Sequence, residues 1–279
     1  IRTPPMITIK KNTLVINPWG GLCNRMQAMD SAIALSFSIG KQLHVLWYKD
    51  RTFNCDFSQL FVVPPQIAHL EQIPLQTLRG RIRHRLHKAF GPMMYDTFYD
   101  NRKIATLNKA HYDYKRLAGQ NSIYISTYLN FYPSLQPFRF FKPVAGIRTA
   151  VRELTGAFTD NTVGVHIRRS DNRMATQHSP ISGFIELMRL ELANDPATRF
   201  FLATDSPDVE EHLEAIFPDR ITIHPKKSLD RNVPEAIQDA LVDLLCLAAT
   251  RKLIGSYWST FTNAAAAIGG IESVIVHEV

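Results

Sequence analysis

The sequence predicts an α/β protein made of two doubly wound halves. Three observations carry this. Residues 146–279 alternate short β-branched runs with amphipathic segments of helix length, the pattern of a parallel sheet covered on both faces. Residues 14–47 read as strand, glycine turn, helix and strand, the start of a second such unit. The charge is divided as well: residues 1–145 hold 19 Lys+Arg against 7 Asp+Glu, a net +12, and residues 146–279 hold 13 against 18, a net −5. A chain of 279 residues is long enough for two compact domains. The predicted boundary is 145/146, in a stretch punctuated by Pro133, Pro137 and Pro143.

In order, Leu14 to Asn17 is a short buried strand, broken by Pro18-Trp19-Gly20-Gly21. Asn24 to Ile39 is a helix, with Met26, Met29, Ile33 and Phe37 at helical spacing and Gly40 closing it as the C′ residue. Leu43 to Trp47 is the next strand. The glycine turn lacks both the G-x-G-x-x-G spacing and the Lys-Ser/Thr of a phosphate loop, so neither fingerprint is supported. It is either a tight turn alone or the point from which Asn24 and Arg25 reach a ligand.

Residues 50–145 are rich in aromatics, with turn signals at Pro64-Pro65 and Gly91-Pro92. Within them Arg79 to Lys88 is strongly basic, and Leu78, Ile82, Leu86 and Phe90 recur every four residues. That spacing predicts an amphipathic helix with a cationic face, weakened by Gly80. The plain reading is a helix docked on its domain. The alternative is a surface for an anionic membrane or an anionic acceptor. Nucleic acid is not an expected partner, because single-strand binding wants aromatics among the charges and none precedes Phe90. Ser122 to Ser126 is a strand.

The second half is more regular. Helices are predicted over 145–154, 181–193 (Ser179 as cap, Pro180 at N1), 208–217, 234–250 and 263–268. Strands are predicted over 163–167, 199–203, 220–224, 252–255 and 273–277.

A hydrophobic fraction of 45% and a charged fraction of 20% are those of a folded globular chain. No run is apolar and long enough to span a bilayer. Cys23, Cys55 and Cys246 have no metal-like spacing and fit a reducing compartment, so a cytoplasmic location is expected, with a peripheral membrane contact as the variant. Residue 1 is not methionine, which leaves a removed leader or anchor open.

Three polar groups fall at carboxyl ends of predicted strands: His166, Arg168, Arg169 and Asp171; Thr204 and Asp205; Ser256, Ser259 and Thr260. A parallel sheet brings such ends to one edge. Arginines and a hydroxyl-rich helix start both suit phosphate. Taken singly, each has a structural reading: Arg168 and Arg169 pairing Asp171 and Asp205, Asp205 or Ser259 as helix caps, His166 as a hydrogen-bonded strand end. Taken together they favour a nucleoside diphosphate site. Arg168 and Arg169 are both placed with this site, but adjacent side chains near a strand end tend to point opposite ways, so the alternative for Arg169 is support of Asp171 or of the domain interface. No general base stands out; Asp171 and then Glu186 are the candidates.

These residues resemble a known group. H-I-R-R-S-D at 166–171 resembles the H-x-R-R-x-D motif of the GT-B fucosyltransferase superfamily, which includes α1,6-, nodulation-type and protein O-fucosyltransferases. F-L-A-T-D-S-P at 201–207, S-Y-W-S-T-F-T-N at 256–263 and G-G-L-C-N-R at 20–25 resemble its other motifs, in the same order. The resemblance implies two Rossmann-like domains facing a cleft, the first on the acceptor side and the second binding the donor. It implies inverting transfer of L-fucose from GDP-β-L-fucose to a glycan or glycoconjugate hydroxyl, with no metal and no further cofactor. It places Arg168 on the β-phosphate, His166 beside the diphosphate or ribose, and Asp205 on guanine or ribose. Ser259, Thr260 and Phe261 would line the pocket, with Asn24 and Arg25 reaching in. Asn172 departs from the lysine of the α1,6 type. Two rival readings are the same fold with another nucleotide sugar, and a polyanion-binding module without catalysis.

Overall fold

In the computed structural model the chain divides into two units, residues 1–142 and 143–279. The structure describes residues 11–169 and 173–277.

The first unit contains β1 (Thr13–Pro18), α1 (Leu22–Ser38), β2 (Gln42–Lys49), β3 (Ile67–Pro74), α2 (Leu78–Met94), β4 (Thr97–Tyr99), α3 (Asn101–Lys109) and β5 (Ser122–Thr127). All pairings are parallel, in the order β3-β2-β1-β5-β4. β1 is central and buried along its whole length, as its apolar run requires. Gly20 turns the chain at φ +85°, and Gly40 ends α1 at φ +65°, both left-handed positions that favour glycine. Because β2 and β5 flank β1, strand order reverses at the β1/β5 seam, just where the glycine turn leaves the sheet.

The second unit contains α4 (Ala145–Thr155), β6 (Thr162–Ile167), α5 (Arg173–His178), α6 (Ile181–Asn194), β7 (Arg199–Thr204), α7 (Pro207–Ile216), β8 (Ile221–Ile223), α8 (Pro234–Ala248), β9 (Lys252–Ser256), α9 (Thr260–Gly269) and β10 (Glu272–Val276). Its sheet is parallel in the order β10-β9-β6-β7-β8. The core on one face joins Val163, Val165 and Ile167 to Phe184, Met188, Phe200 and Leu213. The order reverses between β6 and β9. Ligands of open α/β sheets bind outside the carboxyl ends at such a reversal.

Several local readings change. β3, β4, α3 and α5 are not foreseen in the sequence. Gly91-Pro92 does not end α2, which runs on to Met94. Gly91 is there for packing: a Cβ on it would meet the Phe98 ring at 2.3 Å. Pro180, not Ser179, is the N-cap of α6. Ser179 is recruited by the sheet instead: its hydroxyl donates to Val276 O and accepts from Tyr257 N. The helix around residues 79–88 is docked as predicted, but by the face opposite to its apolar stripe. Gly80, His87 and Gly91 are buried, whereas Leu78, Ile82, Leu86 and Phe90 are exposed. Cys23, Cys55 and Cys246 are buried thiols in no disulfide among the described residues. Among the same residues no helix is long and apolar enough to cross a membrane.

Candidate active site

The carboxyl edge of the second sheet gathers the residues that the sequence singles out. His166, one residue before the end of β6, lies opposite Gly255 of β9. Its Nδ1 lies 2.8 Å from Thr262 Oγ1, and its ring stacks on Phe261 at 4.7 Å. That closeness depends on Gly255, because a Cβ there would stand 2.2 Å from Thr262 Cγ2. Thus a strand glycine lets α9 press against the sheet and fixes the imidazole. Burial, reinforced by the neighbouring Arg168, pushes His166 down to about 3, with Asp205 opposing weakly. The ring is neutral at pH 7, a donor or acceptor rather than a cation.

Arg168 follows β6. Its N–H donates to Ser256 Oγ at 3.0 Å, and Ser256 in turn donates to His166 O at 3.3 Å. Its guanidinium pairs with Asp205 through an Nη1–Oδ2 distance of 2.9 Å. The other Asp205 oxygen accepts from Arg169 N at 2.7 Å. The structural reading of Asp205 as an arginine partner therefore holds in these contacts, and Ser206 rather than Asp205 caps α7. The Arg169 side chain points the other way, donating to Thr176 O at 3.3 Å and Ser179 O at 2.6 Å. It ties the chain beyond β6 to the turn before α6. Burial lowers Arg169, opposed by Asp205.

Ser259 caps α9, its hydroxyl accepting from Thr262 N, and Thr260 is exposed in the first turn. The positive end of a ten-residue helix thus follows the end of β9, at the β6/β9 reversal, in the turn that begins after the Ser256 bonded by Arg168 N. Trp258, exposed at φ +54°, forms the tip of the same turn. Asp171 lies outside the described residues. Glu186 is exposed partway along α6.

In the first unit Asn24 and Arg25 separate. Arg25 does not reach outward; it is 1% exposed. It donates to Gly20 O at 2.9 Å and Tyr48 O at 2.7 Å and lies over the rings of Trp47 and Phe53. Burial lowers it to about 10, with Asp50 opposing. Its work is to brace the glycine turn from within. Asn24 sits under that turn, half-buried, with its Oδ1 lacking a hydrogen-bond partner among the described residues. Trp19, packed edge-on against Tyr128 at 4.6 Å, exposes 41% of its surface at the same edge.

Sequence reasoning missed Gly255, Thr262 and a cluster at the end of β8. There His224 Nδ1 lies 3.1 Å from Asp243 Oδ1, with Asp239 and Lys226 nearby. Burial raises Asp243, and His224 and Lys226 oppose this. The rule that found His166, a histidine at a strand end, also fits His224. Among the described residues no group of three or more His, Cys, Asp or Glu could hold a metal ion.

The sequence matches no protein-family profile and no curated protein. Solved structures do match over nearly the whole chain. NodZ alpha-1,6-fucosyltransferase soaked with GDP-fucose aligns at a TM-score of 0.63 and 19% identity, over 92% of this chain and 93% of that one; another NodZ structure is of the Bradyrhizobium protein. POFUT1 in complex with GDP-fucose aligns at 0.59 and 11% identity, over 95% and 98%. A variant of Arabidopsis thaliana FUT1 in complex with GDP aligns at 0.62 and 15%, over 98% and 72%. The fold is that of the GT-B fucosyltransferases. At these identities the GT-B likeness is one of fold. Within that GT-B fold, His166, Arg168, Asp205 and the α9 start occupy the reversal edge of the second sheet.

Proposed function

We propose that the chain is a glycosyltransferase that moves L-fucose from GDP-β-L-fucose to a hydroxyl of a glycan or glycoconjugate. The observation that carries this is the shared carboxyl edge at the β6/β9 reversal: Arg168 N bonds Ser256 Oγ at the end of β9, the Arg168 guanidinium is held by Asp205, and α9 starts from the turn that follows Ser256. In that reading the second unit binds the donor. Arg168 and α9 face the diphosphate, neutral His166 hydrogen-bonds to it or to the ribose, and Phe261 and Ser259 line the nucleotide. Asp205 orients Arg168. Structures of NodZ and POFUT1 with GDP-fucose support the choice of donor.

The reaction follows from the charges. As the bond from the anomeric carbon to the β-phosphate oxygen breaks, that oxygen gains charge. A preorganised cation aimed at it lowers the barrier, commonly by about 3–4 kcal/mol for a single donor. Arginine and a helix N-terminus would supply this without a metal. The acceptor oxygen attacks from the opposite face, which inverts the centre. Asp171, two residues past Arg169 in sequence, is the proposed recipient of its proton. The first unit is the acceptor side, with Asn24 and the exposed indole of Trp19 at its edge.

The test pairs binding with turnover. GDP should raise the Tm while UDP, ADP and CMP do so far less. Arg168→Ala should abolish the GDP shift and lower donor hydrolysis and transfer by about 10²-fold or more. A larger shift with another nucleotide would sink the fucose donor. Near-normal transfer by a folded Arg168→Ala would sink the phosphate role.

A further inference from the structure

The basic helix α2 is fixed to its unit by one face only. Thr77 caps it at Gly80 N, and a Cβ on Gly80 would strike Pro74 O at 2.0 Å. Arg83 forks onto both carboxylate oxygens of Glu71. His87 Nε2 lies 2.8 Å from Tyr95 OH, and the ring stacks on Tyr124 at 5.3 Å. These contacts determine which side of the helix faces out. At about 100° per residue, Leu78, Ile82, Leu86, Phe90 and Met93 fall within an arc of roughly 120° on the opposite side. All five are between 41% and 83% exposed.

The charges around that arc have one sign. Arg81, Arg85 and Lys88 form a row along one flank, Arg79 stands within the arc, and all four are exposed. No acidic residue occurs between Glu71 and Asp96. We propose that this face of α2 is a membrane-docking surface that rests on a bilayer rich in anionic headgroups. The apolar arc enters the boundary between headgroups and acyl chains. The basic side chains lie along the headgroup plane, their stems on the apolar side and their charges in the phosphate layer. A nucleic acid or other polyanion would use the cations but leave five apolar side chains in water. An acidic protein would want pockets, and a single convex helix face has none. The helix is already formed and pinned, so docking carries no folding cost. This inference is independent of which sugar the chain transfers.

The test is co-sedimentation of the whole chain with vesicles. Wild type should sediment with vesicles of equal parts phosphatidylcholine and phosphatidylglycerol, and far less with phosphatidylcholine alone. Ile82→Ser/Leu86→Ser/Phe90→Ser should weaken partitioning about tenfold or more. Arg81→Gln/Arg85→Gln/Lys88→Gln should weaken it roughly a hundredfold at low salt. Every substituted residue is exposed, and far-ultraviolet circular dichroism and Tm verify folding. The proposal is overturned if wild type ignores both vesicles, or if the serine variant sediments like wild type while the glutamine variant does not, which would mark a polyanion site. It is equally overturned if light scattering finds a wild-type dimer that the serine variant dissolves, with no vesicle binding by either.

Discussion

Replacing Gly255 with alanine should damage the second unit through one contact. The new methyl would stand 2.2 Å from Thr262 Cγ2 and 2.7 Å from its Oγ1. Thr262 is wholly buried, so it has no path into solvent. Overpacking of this kind costs about 1–3 kcal/mol. Alanine recovers about 0.5–1 kcal/mol, since a strand glycine gives up more backbone freedom on folding. At the centre of these ranges the net loss is about 1 kcal/mol, which is roughly 3–5 °C of Tm for a unit of this size. Urea unfolding with a probe in the second unit measures it. The mechanism also specifies a rescue: adding Thr262→Ser removes the Cγ2 that clashes yet keeps the hydroxyl that holds His166. The double variant should regain part of the stability and of the GDP-induced shift, because the retained Oγ1 still lies 2.7 Å from the added methyl. A Gly255→Ala protein within about 0.3 kcal/mol of wild type, or a double variant no better than the single, would refute the reasoning.

Arg25→Ala should lower the stability of the first unit by about 3–5 kcal/mol, because it strands the buried carbonyl of Tyr48 and the half-buried one of Gly20 and empties a site between two rings. Arg25→Lys should recover only part of that, as read by urea midpoints. His87 and His166 are held near 4 and 3 by burial, against about 6.5 when unfolded. The unfolded chain then binds more protons, so stability is complete above about pH 6.5 and falls as pH drops through the window, by up to about 1.4 kcal/mol per unit for each ring. His87→Phe should flatten the urea-midpoint profile between pH 7 and 5 relative to wild type. Arg169→Ala should loosen the turn at residues 176–179 and raise hydrogen exchange there while the core of the second sheet keeps its protection.

The second unit was legible because its elements follow the chain's own periodicities. Each strand from β6 to β10 is a short apolar run with polar residues after it, and a parallel sheet turns that grammar directly into a site. The first unit was legible at its centre, β1-α1-β2 and β5, and in the helix α2. β3 reads Ile67-Ala-His-Leu-Glu-Gln-Ile-Pro74, with polar residues that pairing beside β2 accommodates and local pattern does not announce. β4 has three residues and exists through its pairing with β5. Pro92 misled because its missing N–H matters less near the end of an exposed helix than glycine's close approach to Phe98. Arg25 misled because an arginine after a glycine turn looks like a ligand group, and only tertiary structure shows two aromatic rings and two carbonyls enclosing it. The α2 stripe was visible as a period, but which face the unit would claim was decided by Gly80 at Pro74 of β3, Gly91 at Phe98 of β4 and His87 at Tyr95 and Tyr124.

One comparison separates an Asp205 that reads the guanine base from one that holds Arg168. The resemblance in sequence puts its carboxylate on guanine or ribose; the contacts put one oxygen on Arg168 Nη1 and the other on Arg169 N. Inosine diphosphate keeps the ribose and diphosphate of GDP but lacks the exocyclic amino group. If Asp205 reads guanine through that group, Asp205→Asn should cost GDP affinity and spare inosine diphosphate, so the preference between them collapses. If Asp205 holds Arg168, the asparagine amide turns a donor toward the guanidinium or gives up Arg169 N, and the arginine loses its aim. Both nucleotides should then weaken by the same factor, roughly tenfold for one charged hydrogen bond. Loss of the carboxylate also removes a negative charge beside the diphosphate, which offsets part of that loss for both ligands alike. The ratio is thus insensitive to the offset, and isothermal titration of the two nucleotides against wild type and variant measures it. The contacts predict an unchanged ratio; a collapsed one would move Asp205 from the arginine to the base.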